Sequence, residues 1–172
     1  TEKKQLWVIL RDCFDDHTSG LQEYEILDSG TLMPIGEPVS TKGIVACHLC
    51  RFHGKIYAAN YLSGSIFSSS GALDVHNGHG GHPSRQEAPH THFIAPSPDR
   101  KFLLSTDLGL DSIFVYDEGL NVRSIAHVPA GQGVRHLAYA DDGMTIFAAN
   151  ELGSAVSMFT YHDGQMTLRQ TI

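Results

Sequence analysis

Cysteine is scarce in this chain of 172 residues: there are three, Cys13, Cys47 and Cys50. Three are too few for a disulfide scaffold, and an odd count fits a reducing compartment, so a cytoplasmic location is expected. Basic charge is scarce as well. Twelve Lys and Arg against 19 Asp and Glu leave a net charge of −7, and no basic run offsets it, which argues against nucleic acid as a partner. No apolar run approaches the ~20 residues of a membrane-spanning helix, so no membrane partner is expected. There is no Gly-rich phosphate loop, nucleophile elbow or HExxH. The opening TEKKQLWVILRD has no signal-peptide layout, starts on threonine and reads as though it begins mid-protein.

What is present is a repeat. With 41% apolar and 18% charged residues the chain has the composition of a globular domain with a core. The segment 131–159, GQGVRHLAYADDGMTIFAANELGSAVSMF, contains a histidine, a turn, an apolar strand, an Asn-Glu pair and a second apolar strand. The same order recurs from His92 and from His48, and these three histidines are spaced 44 residues apart. A period of this size without helical patterning points to one β-propeller blade per repeat.

In chain order, LWVIL at 6–10 reads as a strand buried on both faces. Residues 21–35 read as strand, Asp28-Ser29-Gly30 turn and strand, the outer half of a divergent blade. Each clear repeat then opens on its histidine with HLCRF, HFIAP or HLAYA and turns at His53-Gly54, Pro98-Asp99-Arg100 or Asp141-Asp142-Gly143. It continues with KIYAAN, KFLLSTD or MTIFAAN, whose lack of alternation suits a sheet sandwiched between sheets. Outer strands are expected at 122–128 and 166–170. A short helix at 99–105 is set aside because no 3.6-residue apolar period extends beyond two turns. The fold class is therefore all-β, a propeller of four-stranded blades, with blade-like units at roughly 6–43, 44–91, 92–135 and 136–172. At ~40–45 residues per blade that is about four blades. Four such blades would leave unpaired strand edges at both ends, so the chain is expected to be a fragment that self-associates or joins the remainder of a propeller.

The first two strands of a blade are antiparallel, so the start of one and the end of the other share an edge. His48, His92 and Arg135-His136 are thereby expected at one mouth with Asn60, Asp107 and Asn150-Glu151, the usual place for a small-molecule site. The long segment 71–92 feeds the same face. The plainer reading of His48 and His136 is architectural, tying neighbouring blades together. His90 precedes His92 by two residues, so on a strand both imidazoles would point one way. His76, His79 and His82 form a His-rich tract that can bind metal but reads more simply as a solvated loop. Cys47 and Cys50 form a CxxC without the second pair a zinc site needs, and Cys50 reads as a buried apolar residue. No metal or other cofactor is expected. Arg135 and Glu151 are the sharper pair: a carboxylate can act as general base, a guanidinium can grip an anion, and the two can also form a salt bridge.

Several segments carry a family resemblance. They are Arg85-Gln86-Glu87-Ala88-Pro89-His90-Thr91-His92, Ser97-Pro98-Asp99, Thr106-Asp107-Leu108-Gly109-Leu110-Asp111, Phe114-Val115-Tyr116, Gly133-Val134-Arg135-His136-Leu137-Ala138 and Asn150-Glu151-Leu152, with Asn60-Tyr61 and Gly64-Ser65-Ile66 before them. Over roughly 21–172 the chain resembles the lactonase family of seven-bladed propellers, which includes 6-phosphogluconolactonases of the cycloisomerase-2 type and carboxymuconate cyclases. It departs at Val134, where the family usually has proline, and in the short 52–55 turn. The resemblance implies hydrolysis of 6-phospho-D-glucono-1,5-lactone, or a related sugar lactone, in the oxidative pentose phosphate pathway. Alternatives are a 3-carboxy-cis,cis-muconate cyclase-like cycloisomerase and a non-catalytic binding propeller or inactive fragment. The resemblance implies a catalytic set as well: the histidine, arginine and glutamate at the channel mouth of the cyclase branch fall by motif on His92, Arg135 and Glu151, while a further arginine from a later blade has no counterpart here. His48, His90, Asp107, His136 and Asn150 are expected to bind the small anionic lactone. Either His92 or Glu151 would activate water.

Overall fold

The computed structural model describes residues 4–172, and among them there are fifteen strands and no helix. The strands form four antiparallel sheets. The first is β1 (Gln5–Leu10), β2 (Gly20–Ile26) and β3 (Leu32–Ser40). The second is β4 (Ala46–Phe52), β5 (Lys55–Asn60), β6 (Ser65–Ser68) and β7 (Leu73–Val75). The third is β8 (Thr91–Pro96), β9 (Leu103–Asp107), β10 (Ser112–Tyr116) and β11 (Val122–His127). The fourth is β12 (Val134–Tyr139), β13 (Thr145–Asn150), β14 (Ala155–His162) and β15 (Gln165–Thr171). In each sheet the strands neighbour one another in sequence order, the meander of a propeller blade. Local chemistry sets the hairpins. His53 and Gly54 both have positive φ, as a two-residue turn matched to strand twist requires. The Asp142 carboxylate accepts the Met144 and Thr145 amide protons around the 141–143 turn.

Burial follows the stacking of the sheets. In β5, Ile56 and Ala58 pack toward the first sheet with Leu21 and Phe67, while Tyr57 and Ala59 pack toward the third with Ile94 and Leu103. Successive residues therefore face opposite neighbours and all are buried. Each fully buried large side chain contributes about 1.5–3 kcal/mol. Leu104, Ile113, Val115, Ile146, Ala148 and Phe159 fill the next interface. The end sheets differ from the sequence expectation. β13 alternates, with Phe147 40% exposed between buried Ile146 and Ala148, because its sheet is covered on one face only. For the same reason the 6–10 run is not buried on both faces: Leu6 is exposed while Trp7 and Ile9 pack inward.

The register corrects the 44-residue histidine period. Ala46 pairs with Asn60 and His48 with Ala59, leaving Cys47 as an extra bulged residue. Thr91 pairs with Asp107 and Phe93 with Thr106, so the bulged residue there is His92. Val134 pairs with Asn150 and His136 with Ala149, so it is Arg135. The structural equivalents are thus Cys47, His92 and Arg135 in one set and His48, Phe93 and His136 in the other. The even spacing of histidines mixes the two sets, and a one-residue offset moves a side chain to a different face.

Candidate functional site

A β-bulge re-aims the residue it inserts, and here the same bulge opens the inner strand of three successive blades. Its residues Cys47, His92 and Arg135 line one cavity of about 190 Å³ together with Arg11, Val45, Tyr61, Arg85 and Glu151. A second set comes from the position just after the neighbouring strand: Arg11 follows β1, Tyr61 follows β5 and Glu151 follows β13. The backbone holds the last two alike, the Tyr61 amide donating to the Val45 carbonyl and the Glu151 amide to the Gly133 carbonyl.

Glu151 is held by two guanidiniums, one on each oxygen. Arg85 Nη2 is 2.6 Å from Oε1 and Arg135 Nη1 is 2.8 Å from Oε2. Burial pushes the Glu151 carboxyl up, but the Arg85 hydrogen bond and the charge of Arg135 outweigh it and hold the group below its usual range. Arg135 Nε donates to His92 Nε2 at 2.9 Å, which fixes His92 as the tautomer protonated on Nδ1. Burial first, and then the Arg135 charge, bring the His92 pKa down to about 4, so the ring is neutral at ordinary pH. The Arg135–Glu151 salt bridge expected from sequence is formed, and it coexists with the contact to His92.

The other sequence candidates fall into different surroundings. His136 is exposed, its ring centroid 5.0 Å from that of His92. Partial burial and then Arg135 lower its pKa. His48 lies with Nδ1 3.1 Å from the Ile94 carbonyl of the next blade, the inter-blade tie of the plainer reading. His90 precedes β8 rather than lying on it, so the alternation argument for His90 and His92 does not apply. His90 is buried and stacked on Tyr61 at 4.5 Å, while His92 meets Tyr61 edge-on at 5.9 Å. Asn150 is buried with its amide on Ser157. Asp107 is fully buried and away from the cavity lining; its Oδ1 accepts the amides of His90 and Leu110.

The segment 76–90 is not the solvated loop expected. His76 is buried, Nδ1 2.5 Å from Asp107 Oδ2 and Nε2 2.5 Å from the Tyr116 hydroxyl, which donates to Asp74. His79 is exposed and His82 half-buried, and no described group of three or more His, Cys, Asp or Glu is placed to hold a metal. Gln86, also buried, donates to the Leu108 carbonyl and accepts the His82 amide. One carboxylate therefore fastens both ends of the loop, and the loop delivers Arg85 to Glu151. Sequence reasoning missed Arg85, Arg11 and Tyr61 as site residues. For Arg11 and Tyr61 the available signal was their position one residue after a strand end, the same as that of Glu151.

The comparisons agree with this architecture. The family profile described as "Lactonase, 7-bladed beta-propeller" matches residues 1–172. A Bacteroides fragilis protein assigned provisionally as a 6-phosphogluconolactonase superimposes with a TM-score of 0.85 at 30% identity, over 98% of this chain and 53% of that one. The periplasmic gluconolactonase of Pseudomonas aeruginosa superimposes with a TM-score of 0.83 at 25% identity, over 98% and 54%. An uncharacterized Staphylococcus epidermidis protein is 28% identical over 163 residues, which are 85% of this chain and 47% of that protein. The chain spans about half the length of the curated relatives it matches.

Proposed function

We propose, from the premise that the chain belongs to the lactonase family of seven-bladed β-propellers, that its cavity carries out the hydrolysis of a sugar lactone, with 6-phospho-D-glucono-1,5-lactone as the substrate, giving 6-phosphogluconate. The observation that carries this reading is the Arg85–Glu151–Arg135 cluster beside a neutral His92. In a chain of net charge −7 the cavity lining has three arginines and one carboxylate, an arrangement suited to an anionic substrate.

Of the two candidate bases, His92 is favoured. Both Glu151 oxygens are occupied by guanidiniums, whereas the His92 Nε2 meets a single donor, Arg135 Nε. When an anionic lactone engages Arg135, the His92 Nε2 lone pair becomes free for a water molecule. The water oxygen bonds to the lactone carbonyl carbon as its proton passes to His92. Arg135 stabilises the resulting oxyanion. On collapse the bond from that carbon to the ring oxygen breaks, and the departing oxygen takes the proton back from His92. Glu151 keeps both guanidiniums in place throughout. No cofactor takes part in this sequence.

The test is consumption of freshly prepared 6-phosphogluconolactone and, separately, of 3-carboxy-cis,cis-muconate. Acceleration of lactone opening well above the spontaneous rate supports the reading. Turnover of the muconate alone would assign the same anion-binding face to cycloisomerisation, and neither reaction would leave a binding propeller.

A further inference from the structure

The three arginines of the cavity are not equivalent. Arg85 and Arg135 each spend a nitrogen on Glu151. Among the described residues, the Arg11 side chain has no carboxylate and no hydrogen-bond acceptor assigned to it, yet it lines the same cavity. Its backbone is not loose. The buried Ser19 hydroxyl donates to the Arg11 carbonyl at 2.6 Å and accepts the Ala46 amide at 2.8 Å. One hydroxyl thus fixes Arg11 beside the bulge that presents Cys47. In blade order Arg11 belongs to the first sheet, Cys47 to the second, His92 to the third, and Arg135 and Glu151 to the fourth. The unpaired guanidinium is therefore at the opposite end of this series from the Arg135–Glu151 pair.

An unpaired guanidinium on a fixed backbone has its full fork of donors available for a planar or tetrahedral oxyanion. The one carboxylate of the lining, Glu151, is taken by Arg85 and Arg135, and Val45, Cys47 and Tyr61 bring no negative charge to compete. Burial pushes the Cys47 thiol up to about 11, so it stays protonated.

We propose that Arg11 is the specificity residue of this cavity, binding a phosphate carried by the substrate at a distance from the carbonyl held between His92 and Arg135. The assignment rests on the lactonase reading for its catalytic consequence, but phosphate binding tests it independently.

The experiment uses the full chain with Arg11→Ala and Arg11→Gln, two variants of an exposed side chain so that a folding defect in one does not decide the outcome. Titration calorimetry with inorganic phosphate is expected to show at least tenfold weaker binding in both variants. The ratio of kcat/KM for 6-phosphogluconolactone to that for unphosphorylated glucono-1,5-lactone should fall at least tenfold, mainly through KM. An unchanged ratio together with unchanged phosphate affinity overturns the proposal, as does an equal loss on both lactones. If the wild-type chain opens neither lactone, the lactonase reading fails and the phosphate titration alone decides: weaker binding in the variants supports the Arg11 site, and equal binding refutes it.

Discussion

Glu151 has each oxygen on a different guanidinium, and the Arg135 guanidinium turns its Nε to His92. Burial of His92, and after it the charge of Arg135, sets the protonation of the site. A histidine in an unfolded chain takes up its proton near pH ~6.5, whereas His92 does so only near 4. Between those values the unfolded chain binds more protons, so the His92 contribution to stability is present above the upper value and falls as pH drops toward the lower one. The rate of lactone opening should likewise be flat from pH 8 down through 6 and decline only below about 5. NMR titration of the His92 ring checks the pKa, and an apparent value near 6.5 would remove the basis for a neutral base. Legibility at this scale was uneven. Arg135 and Glu151 were readable because each departs from its counterparts in the repeat, and His92 through the motif that carries the family resemblance. Arg11 and Tyr61 were not, since their place in the lining depends on where a strand ends, and the apolar pattern does not fix that to the residue. His48 and Asp107 looked like site residues because polar groups at blade edges also serve as inter-blade ties and loop clasps.

The element that matters most is the 76–90 loop. Its chain of hydrogen bonds from Asp74 through Tyr116 and His76 to Asp107 joins the outer strand of one blade to the two middle strands of the next. Asp107→Ala would leave the His76 ring and the His90 and Leu110 amides without their acceptor. At ~1–3 kcal/mol for each buried unpaired group, a stability loss of about 3 kcal/mol or more is expected in chemical denaturation. Gly109→Ala is the milder probe. A Cβ there would lie 1.9 Å from the Ala88 carbonyl oxygen, so the end of the loop must shift and move Arg85 with it. We expect faster proteolysis within 76–90 and a drop in activity of about 10²-fold, the scale of a misplaced positioning group, while the circular dichroism of the sheets is retained. Proteolysis unchanged from wild type would separate the loop from the site. From sequence this loop resembled a solvated tract because Gly, Asn and His dominate it. What the composition hid was that His76 and Gln86 have buried partners more than twenty residues away.

Across the whole molecule, the two middle sheets are covered on both faces and the two end sheets on one. Leu32, Met33 and Val39 are exposed on the first sheet, and Phe147, Val156 and Ile172 on the fourth. Apolar area of this kind in water favours association, and unpaired faces invite it. Sedimentation of the chain should therefore show concentration-dependent association, weakened by Phe147→Glu with Val156→Lys; a monomer at all concentrations would contradict this. The propeller itself was legible, since its repeat, hairpin turns and apolar strands are all local signals. The one-sided burial of the end sheets was not, because it depends on what flanks them rather than on the strands themselves. All of the site's chemistry lies at one mouth, on groups contributed by four successive sheets, and the measurement that tests it most directly is the rate of opening of fresh 6-phosphogluconolactone by wild type, His92→Ala and Glu151→Gln. The account predicts that both variants lose about 10²-fold or more relative to wild type. Wild-type rates in both would contradict it.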